Sequence, residues 1–396
     1  MRILVLSDTF PNALDPWRGP YNRRQVECLA ELCSVTVINP LPWVKLLSGT
    51  RYWGLTSDSD DVLEGIPLYH PTFWYLPVLG RNRTWRGVLS AARRALKKER
   101  KQPYDLILAT FAYPHGLAAC ELARELGIPY VIKARGSDLH SLPKSGPRRE
   151  RTMQAVQDAA AVVAVSRNLA DIAVEMGAQA SQVTVLPNGI DADVFDAIPR
   201  HEARGKLGLP LDREMILFVG SLSPVKGVDI LLKAFDHVRR KRERMPLLTL
   251  LGSGPMRWTI ERQLADAGLR DAVKLPGHRE RNEVALWMNA ANLLVLPSRN
   301  EGCPNVVLEA LSCGTPVVAS RVGAVPDLLG LEGGETVAPN DPEALAEAIL
   351  RVLDRTWVRA MLRWKIKGRS WRENAEKLHS ILMQSADTIH AGRTAS

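Results

Sequence analysis

The sequence predicts an α/β chain of two successive doubly wound domains, each a parallel sheet covered by helices on both faces. Its length of 396 residues exceeds the ~250–300 at which a single hydrophobic core stops growing. Short, almost wholly apolar runs recur through the first half: RILVLS, SVTVIN, DLILAT, PYVIKA, AVVAVS and QVTVLP. Unbroken rather than alternating hydrophobicity marks strands buried on both faces. The same rhythm then restarts at MILFVG, LLTLLG, AVKLPG, NLLVLP and TPVVAS, which implies a second unit of the same kind.

The first strand follows Met1 and a single Arg; its apolar run is too short for a secretion signal, and none is read. Amphipathic stretches at residues 22–32 and 117–126 supply helices between strands. Residues 186–210, LPNGIDADVFDAIPRHEARGKLGLP, are rich in Pro, Gly and Asp, lack a strong period and read as the linker. The domains are therefore placed at 1–186 and 187–370. The amphipathic segment 371–396 is expected to pack back on the first domain. A cleft is expected at the strand C-termini of the two sheets.

Apolar content of 46% and charged content of 24% are ordinary globular values. Five cysteines without C-x-x-C spacing (Cys28, Cys33, Cys120, Cys303, Cys313) read as reduced structural thiols, which suits the cytoplasm. No apolar run reaches the ~20 residues that span a bilayer. The net charge of +9 asks for an anionic partner. Much of it sits in residues 81–101, where Trp85, Val88, Leu89, Ala92 and Leu96 recur at helical spacing beneath Arg and Lys. Two readings follow: a solvated helix docked on its own domain, or contact with an anionic membrane. The second would be aided by Trp43, Trp53, Phe73, Trp74 and Tyr75. No nucleic-acid-binding module is visible.

The chemistry concentrates at strand ends. In SRNEGCPNVVLEALSCGTPVVAS, Asn305 is placed as the N-cap of a helix ended by Gly314 and Pro316. The N–H groups of Cys303, Asn305 and Val306, with Pro304 between them contributing none, and the helix dipole suit a phosphate. Glu301 stands just before this site and Glu309 one turn inside the helix, among apolar neighbours where an acid needs a partner. Together they fit a nucleotide-sugar: pyrophosphate at Gly302 to Val306, sugar toward Glu301, ribose toward Glu309. VGSLSPVKG puts Gly220, Ser221 and Lys226 at another strand end; its spacing is not that of a P-loop. Gly254 in LGSGP and Gly277 in KLPG close two more. In the first half, Gly19 follows strand one, His115 stands in FAYPHG, and Arg135 and Asp138 sit in KARGSD. That last pair has a plain alternative, bracing its own turn. The acidic DSDD at residues 58–61 is placed in a polar loop.

The Glu pair of EGCPNVVLE, the VGSLSPVKG loop, LGSGP, PHG, RGSD and LPNGID, in this order along nearly the whole chain, resemble retaining family 4 glycosyltransferases of the GT-B fold. The PHG…KARGSD variant resembles bacterial cell-envelope enzymes of the teichuronic-acid biosynthesis type. The resemblance implies two Rossmann-like domains, acceptor-side first and donor-binding second. It implies Glu301 near the donor sugar, Glu309 on the ribose, Lys226 on the diphosphate, His115 beside the sugar and Gly19 over the phosphates. Arg135 to Asp138 would form the acceptor-side loop. Many members carry Arg where Ser221 stands here, so one phosphate-neutralising charge is missing, with Lys226 or Arg135 to compensate. No Asp-x-Asp pair is placed to hold a cation; no cofactor and no metal are expected, because helix N–H groups and Lys226 can neutralise the diphosphate. The function expected is transfer of a sugar, with retention, from a nucleoside diphosphate to a hydroxyl of a lipid-linked or oligosaccharide acceptor. It would take place in the cytoplasm, peripherally at the inner membrane face. The alternatives are a nucleotide-sugar epimerase of similar shape and a non-catalytic scaffold.

Overall fold

The computed structural model describes residues 1–12, 15–16, 18–42, 59–74, 81–99, 103–140, 142 and 144–393. The chain divides into two compact units, Met1–Gly189 with Trp371–Ser396, and Ile190–Ser370. The division falls at 189/190, three residues beyond the boundary read from the linker.

The first unit holds an eight-stranded sheet. Its strands in chain order are β1 (Arg2–Leu6), β2 (Ser34–Ile38), β3 (Ser59–Leu63), β4 (Ile66–His70), β5 (Leu106–Thr110), β6 (Tyr130–Ala134), β7 (Ala161–Ala164) and β8 (Val183–Val185). Their spatial order is β8-β7-β6-β5-β1-β2-β4-β3. β1 lies at the centre, with Ile3 opposite Val35 on one side and Leu106 on the other. β3 runs antiparallel to β4 at the edge, so this sheet is mixed where a parallel one was expected. The hairpin turns at Glu64 and Gly65, both in the left-handed region. Of the acidic run placed in a loop, Asp60 and Asp61 belong to β3; Asp58 lies outside the described residues. The exposed edge tolerates charge there, because one side of the strand has no neighbour.

The C-terminal helix Trp371–Arg393 completes this core. Trp371, Ala375, Leu378, Leu382 and Ala386 pack with Ile3, Val5, Val26 and Leu29, and Trp371 stacks on Tyr21 with ring centroids 6.4 Å apart. The helix is also tied by polar bonds: Asn374 Nδ2 donates to the Pro187 carbonyl at 2.6 Å and Gln25 Nε2 donates to Asn374 Oδ1 at 2.5 Å.

The second unit is a six-stranded parallel sheet of β9 (Met215–Val219), β10 (Leu247–Leu251), β11 (Val273–Gly277), β12 (Leu293–Leu296), β13 (Val317–Ser320) and β14 (Gly334–Val337). Their order is β11-β10-β9-β12-β13-β14, and apolar clusters lie on both faces. The stretch read as an aperiodic linker contains a helix, Arg200–Lys206. Seven residues, six of them charged or small, are too few to print a helical period. The helix is held from outside itself: Arg204 is buried and donates to the carbonyls of Ala290, Pro210 and Leu211.

Candidate functional site

In the second unit the expected residues gather at the C-terminal ends of β9, β10, β11 and β12. The backbone itself knits three glycine-rich strand ends together. Gly220 N–H donates to Leu251 O, Leu222 N–H to Ser253 O and Gly252 N–H to Gly277 O, each at 2.9 Å. The closeness demands glycine: a Cβ on Gly252, whose φ is +141°, would lie 1.9 Å from the Gly220 carbonyl oxygen. Gly252 was absent from the residues named on sequence; its neighbour Gly254 was named from the same motif. Ser221 shares a 2.8 Å hydrogen bond with Ser223.

Lys226 ends the short Pro224–Lys226 turn. Its Nζ lies 2.7 Å from Glu301 Oε1, and the same oxygen accepts the hydroxyl of buried Ser298 at 2.7 Å. The loops bearing Lys226 and Glu301 are clamped to each other. Arg299 donates its backbone N–H to Val225 O at 2.8 Å, and its guanidinium forks onto Asp229 at 2.7 and 3.0 Å and reaches the Pro224 carbonyl. The Arg299 partner depresses the Asp229 carboxyl below its ordinary value, burial opposing. Ser298, Arg299 and Asp229 escaped the sequence reading; Asp229 lies three residues past Lys226, with no motif to mark it.

Glu301 opens the turn that leads into the helix Asn305–Ser312. Pro304, not Asn305, occupies the N-cap position, with extended backbone and no side-chain cap; Asn305 is the first helical residue. Proline's fixed φ makes it a good entry to a helix but leaves it no capping group. The first turn contains no acid, so the positive end of the dipole is not offset by a carboxylate of the helix. All eight residues are buried, among them Glu309 at 5% exposure. The unit thus assembles Gly220, Ser221, Lys226, Gly254, Gly277, Glu301 and the segment Gly302, Cys303, Pro304, Asn305 and Val306 around connected loops. Glu309 is one turn behind. A cation and a helix N-terminus beside two carboxylates can hold an anionic group flanked by hydroxyls.

In the first unit, Gly19 has φ +62° and precedes the helix Pro20–Ala30. A Cβ there would lie 1.9 Å from the Thr9 carbonyl oxygen, so the loop after β1 folds tightly on the helix entrance. His115 lies in Ala112–Gly116, just past β5, and is fully buried. Neither ring nitrogen has a hydrogen-bond partner among the described residues; Asp8 Oδ1 is 3.9 Å from Nε2. Burial holds its pKa below the ordinary 6.5 against the pull of Asp8 and Asp138, with Arg18 adding to the lowering. The ring is therefore neutral at neutral pH and keeps hydrogen-bonding capacity for a ligand. Asp8 and Arg18, which donates to the Asp8 carbonyl at 2.7 Å, were missed; position directly after β1 was the available signal.

Asp138 acts as a brace. Its Oδ1 accepts the backbone N–H groups of Gly136 and Arg135 at 2.8 and 3.1 Å, and Oδ2 that of Ala112 at 2.8 Å. It ties the 135–138 turn to the segment that carries His115. Arg135 turns its guanidinium to Gln25 Oε1 at 3.1 Å, the atom that also accepts buried Lys133 at 2.7 Å.

The basic helix spans Thr84–Lys98, preceded by a turn at Arg81–Arg83. Val88, Leu89, Ala91, Ala92 and Ala95 are buried, so its apolar stripe is used within its own unit. Arg93, Arg94, Lys97 and Lys98 remain exposed, Arg93 paired with Glu125. Of the supporting aromatics, Trp74 is exposed and Phe73 is buried; Trp43, Trp53 and Tyr75 lie outside the described residues. Buried Phe73 has no surface to offer a membrane. Among the described residues no helix is long and apolar enough to cross a membrane. None of the five cysteines forms a disulfide.

Comparison with known proteins meets this geometry on both units. Residues 19–189 match the family described as "Glycosyl transferase 4-like domain" and residues 199–377 "Glycosyl transferases group 1". The chain is 33% identical over 360 residues, 89% of each sequence, to the glycosyltransferase TuaC of Bacillus subtilis (strain 168), named for teichuronic acid biosynthesis. Two solved structures share its fold. Sucrose-phosphate synthase from Thermosynechococcus elongatus aligns over all of both chains with a TM-score of 0.74 at 22% identity. Anabaena HepE in complex with UDP covers 99% of this chain and all of its own, with a TM-score of 0.69 at 20% identity. With both units matched and most of the chain aligned to a relative, the chain belongs to the family 4 glycosyltransferases of the GT-B fold.

Proposed function

We propose that this glycosyltransferase takes a sugar from a nucleoside diphosphate and adds it, with retained configuration and without a metal, to a hydroxyl acceptor in cell-envelope polysaccharide synthesis. The observation that carries this is the Lys226–Glu301 pair beside the entrance of the Asn305–Ser312 helix, with Glu309 buried behind it. The diphosphate would lie on the helix entrance with Lys226, which stabilises charge as the sugar C1–O bond breaks. The acceptor oxygen bonds to C1 on the same face, and its proton passes to the departing phosphate oxygen, so no protein nucleophile takes part. The ribose hydroxyls would donate to Glu309, the sugar hydroxyls to Glu301. His115, neutral and buried, would hydrogen-bond the sugar. The UDP complex of the HepE neighbour supports a nucleotide donor, and the TuaC relative supports an envelope acceptor, lipid-linked or oligosaccharide. The exposed Arg93, Arg94, Lys97 and Lys98 would hold the enzyme peripherally against anionic lipid, each worth ~1 kcal/mol near such a surface.

The decisive experiment is a thermal-shift panel of UDP-, GDP- and ADP-sugars followed by incubation with the labelled donor that stabilises the protein. A ligand at 100 times its Kd adds about 2.7 kcal/mol. Transfer with EDTA present supports the reading; isomerisation of the donor, no reaction, or strict need for a divalent ion overturns it. Sedimentation with vesicles checks the membrane part: binding should need anionic lipid, weaken with salt and fall when the four basic residues become Gln.

A further inference from the structure

Three helices of the first unit, Thr84–Lys98, Leu117–Leu126 and Pro147–Gln157, border a cavity of about 300 Å³. Its polar lining is Trp85, Arg86, Glu121, Arg124, Arg151 and Gln154, three guanidiniums against one carboxylate. The acids nearby are already engaged. Arg124 pairs with Glu121 at 3.0 Å and with Asp158 at 2.7 Å, and Gln154 donates to Asp158 at 2.8 Å. Arg86 and Arg151 have no carboxylate partner among the described residues. Both instead lie over the Trp85 ring, 5.5 and 5.7 Å from its centroid. The indole Nε1 of Trp85 is buried and has no hydrogen-bond partner among the described residues. Trp85 and Arg86 also belong to the first turn of the fifteen-residue helix, which has no acid there and no side-chain cap. The dipole therefore adds to the positive field.

We propose that this cavity binds a phosphate group. Two guanidiniums present more donors than the two oxygens of a carboxylate can accept, whereas a phosphate can take a fork from each. The cavity exceeds a bare phosphate, and buried Leu117, Cys120 and Ala155 give it an apolar part for the carbon stem. The site lies in the first unit and involves none of the residues assigned to the donor, so it stands apart from the transfer reading. The chemistry is shared by a phospholipid headgroup and a free phosphate.

The test follows the indole ¹⁵N–H signal of Trp85, identified among the ten tryptophans by its loss in Trp85→Phe. It is titrated with inorganic phosphate and, separately, with monomeric dihexanoyl phosphatidate. A saturable shift with phosphatidate at least about tenfold tighter than with phosphate assigns a lipid headgroup; equal affinities assign a free phosphate. In either case R86Q/R151Q should weaken binding at least about tenfold, the loss of charge-assisted hydrogen bonds, and R240Q, exposed on the second unit, should not. A stationary Trp85 signal in both titrations, or the same affinity in a folded R86Q/R151Q, overturns the proposal. Neither titration contains a nucleotide-sugar, so failure here leaves the donor panel to stand or fall by itself.

Discussion

Replacing Lys226 with Met should damage the empty protein slightly and the reaction severely. Methionine keeps most of the stem and removes the charge. The lost contact is a 2.7 Å ion pair whose side chains are 26% and 10% exposed. At an effective dielectric near 20 the bare attraction is about 6 kcal/mol, but desolvation and lysine side-chain entropy oppose it. Exposed pairs contribute about 0.2–1 kcal/mol and breaking a buried one costs about 3–5. A pair with one partner a quarter exposed should fall between, at about 1–2 kcal/mol, moderated because Ser298 still donates to Glu301. Transfer should fall about 10²–10³-fold, the usual cost of removing one preorganised stabiliser of developing charge. Denaturant midpoints and initial rates with labelled donor measure the two effects. A double-mutant cycle with Glu301→Gln should return a coupling of about 1–2 kcal/mol in stability. A folded Lys226→Met enzyme within threefold of wild-type turnover would refute the role of this cation.

Glu309→Ala should weaken donor binding by about 1.5–3 kcal/mol, the range for a hydrogen bond to a charged group; unchanged affinity by calorimetry in a folded variant removes the ribose assignment. Glu301→Ala should lower kcat more than donor affinity, since its contacts follow the reacting sugar; the reverse split would move Glu301 to ground-state binding. His115 should make stability depend on pH: folded, its pKa lies below 6.5, so as pH drops through 6.5 the unfolded chain takes up the proton first. Its stabilising effect is complete above pH 6.5 and declines below, by at most about 1.4 kcal/mol per pH unit. Urea titrations of wild type and His115→Gln from pH 8 to 5 should diverge below 6.5, and parallel curves would show that the ring titrates normally. Trp371→Ala should cost about 3–5 kcal/mol as a large buried aromatic lost from the first core, read from urea midpoints; a loss under about 1 kcal/mol would mean that the C-terminal helix rests on the unit without supporting it.

The sequence by itself determined the two-unit α/β plan and most of the second-unit site. Central parallel strands must be apolar on both faces, so β1, β5 and β9 print as nearly solid hydrophobic runs. Strand-end loops that approach a ligand or one another must be glycine-rich, and so they can be read directly. The edge hairpin β3–β4 escaped because an edge strand tolerates charge and can be short. The helix Arg200–Lys206 escaped because its anchor, Arg204, bonds to carbonyls as far as 86 residues away. The tertiary structure alone decided what each polar group does. It made Asp138 a brace of three backbone N–H groups, and placed Arg299 and Asp229 as the clamp between the Lys226 and Glu301 loops. It also turned the apolar stripe of the basic helix inward. Periodicity shows that a face is apolar; only packing shows what covers it. A carboxylate's partners likewise depend on backbone N–H groups that every residue but proline carries, and those leave no trace in the sequence.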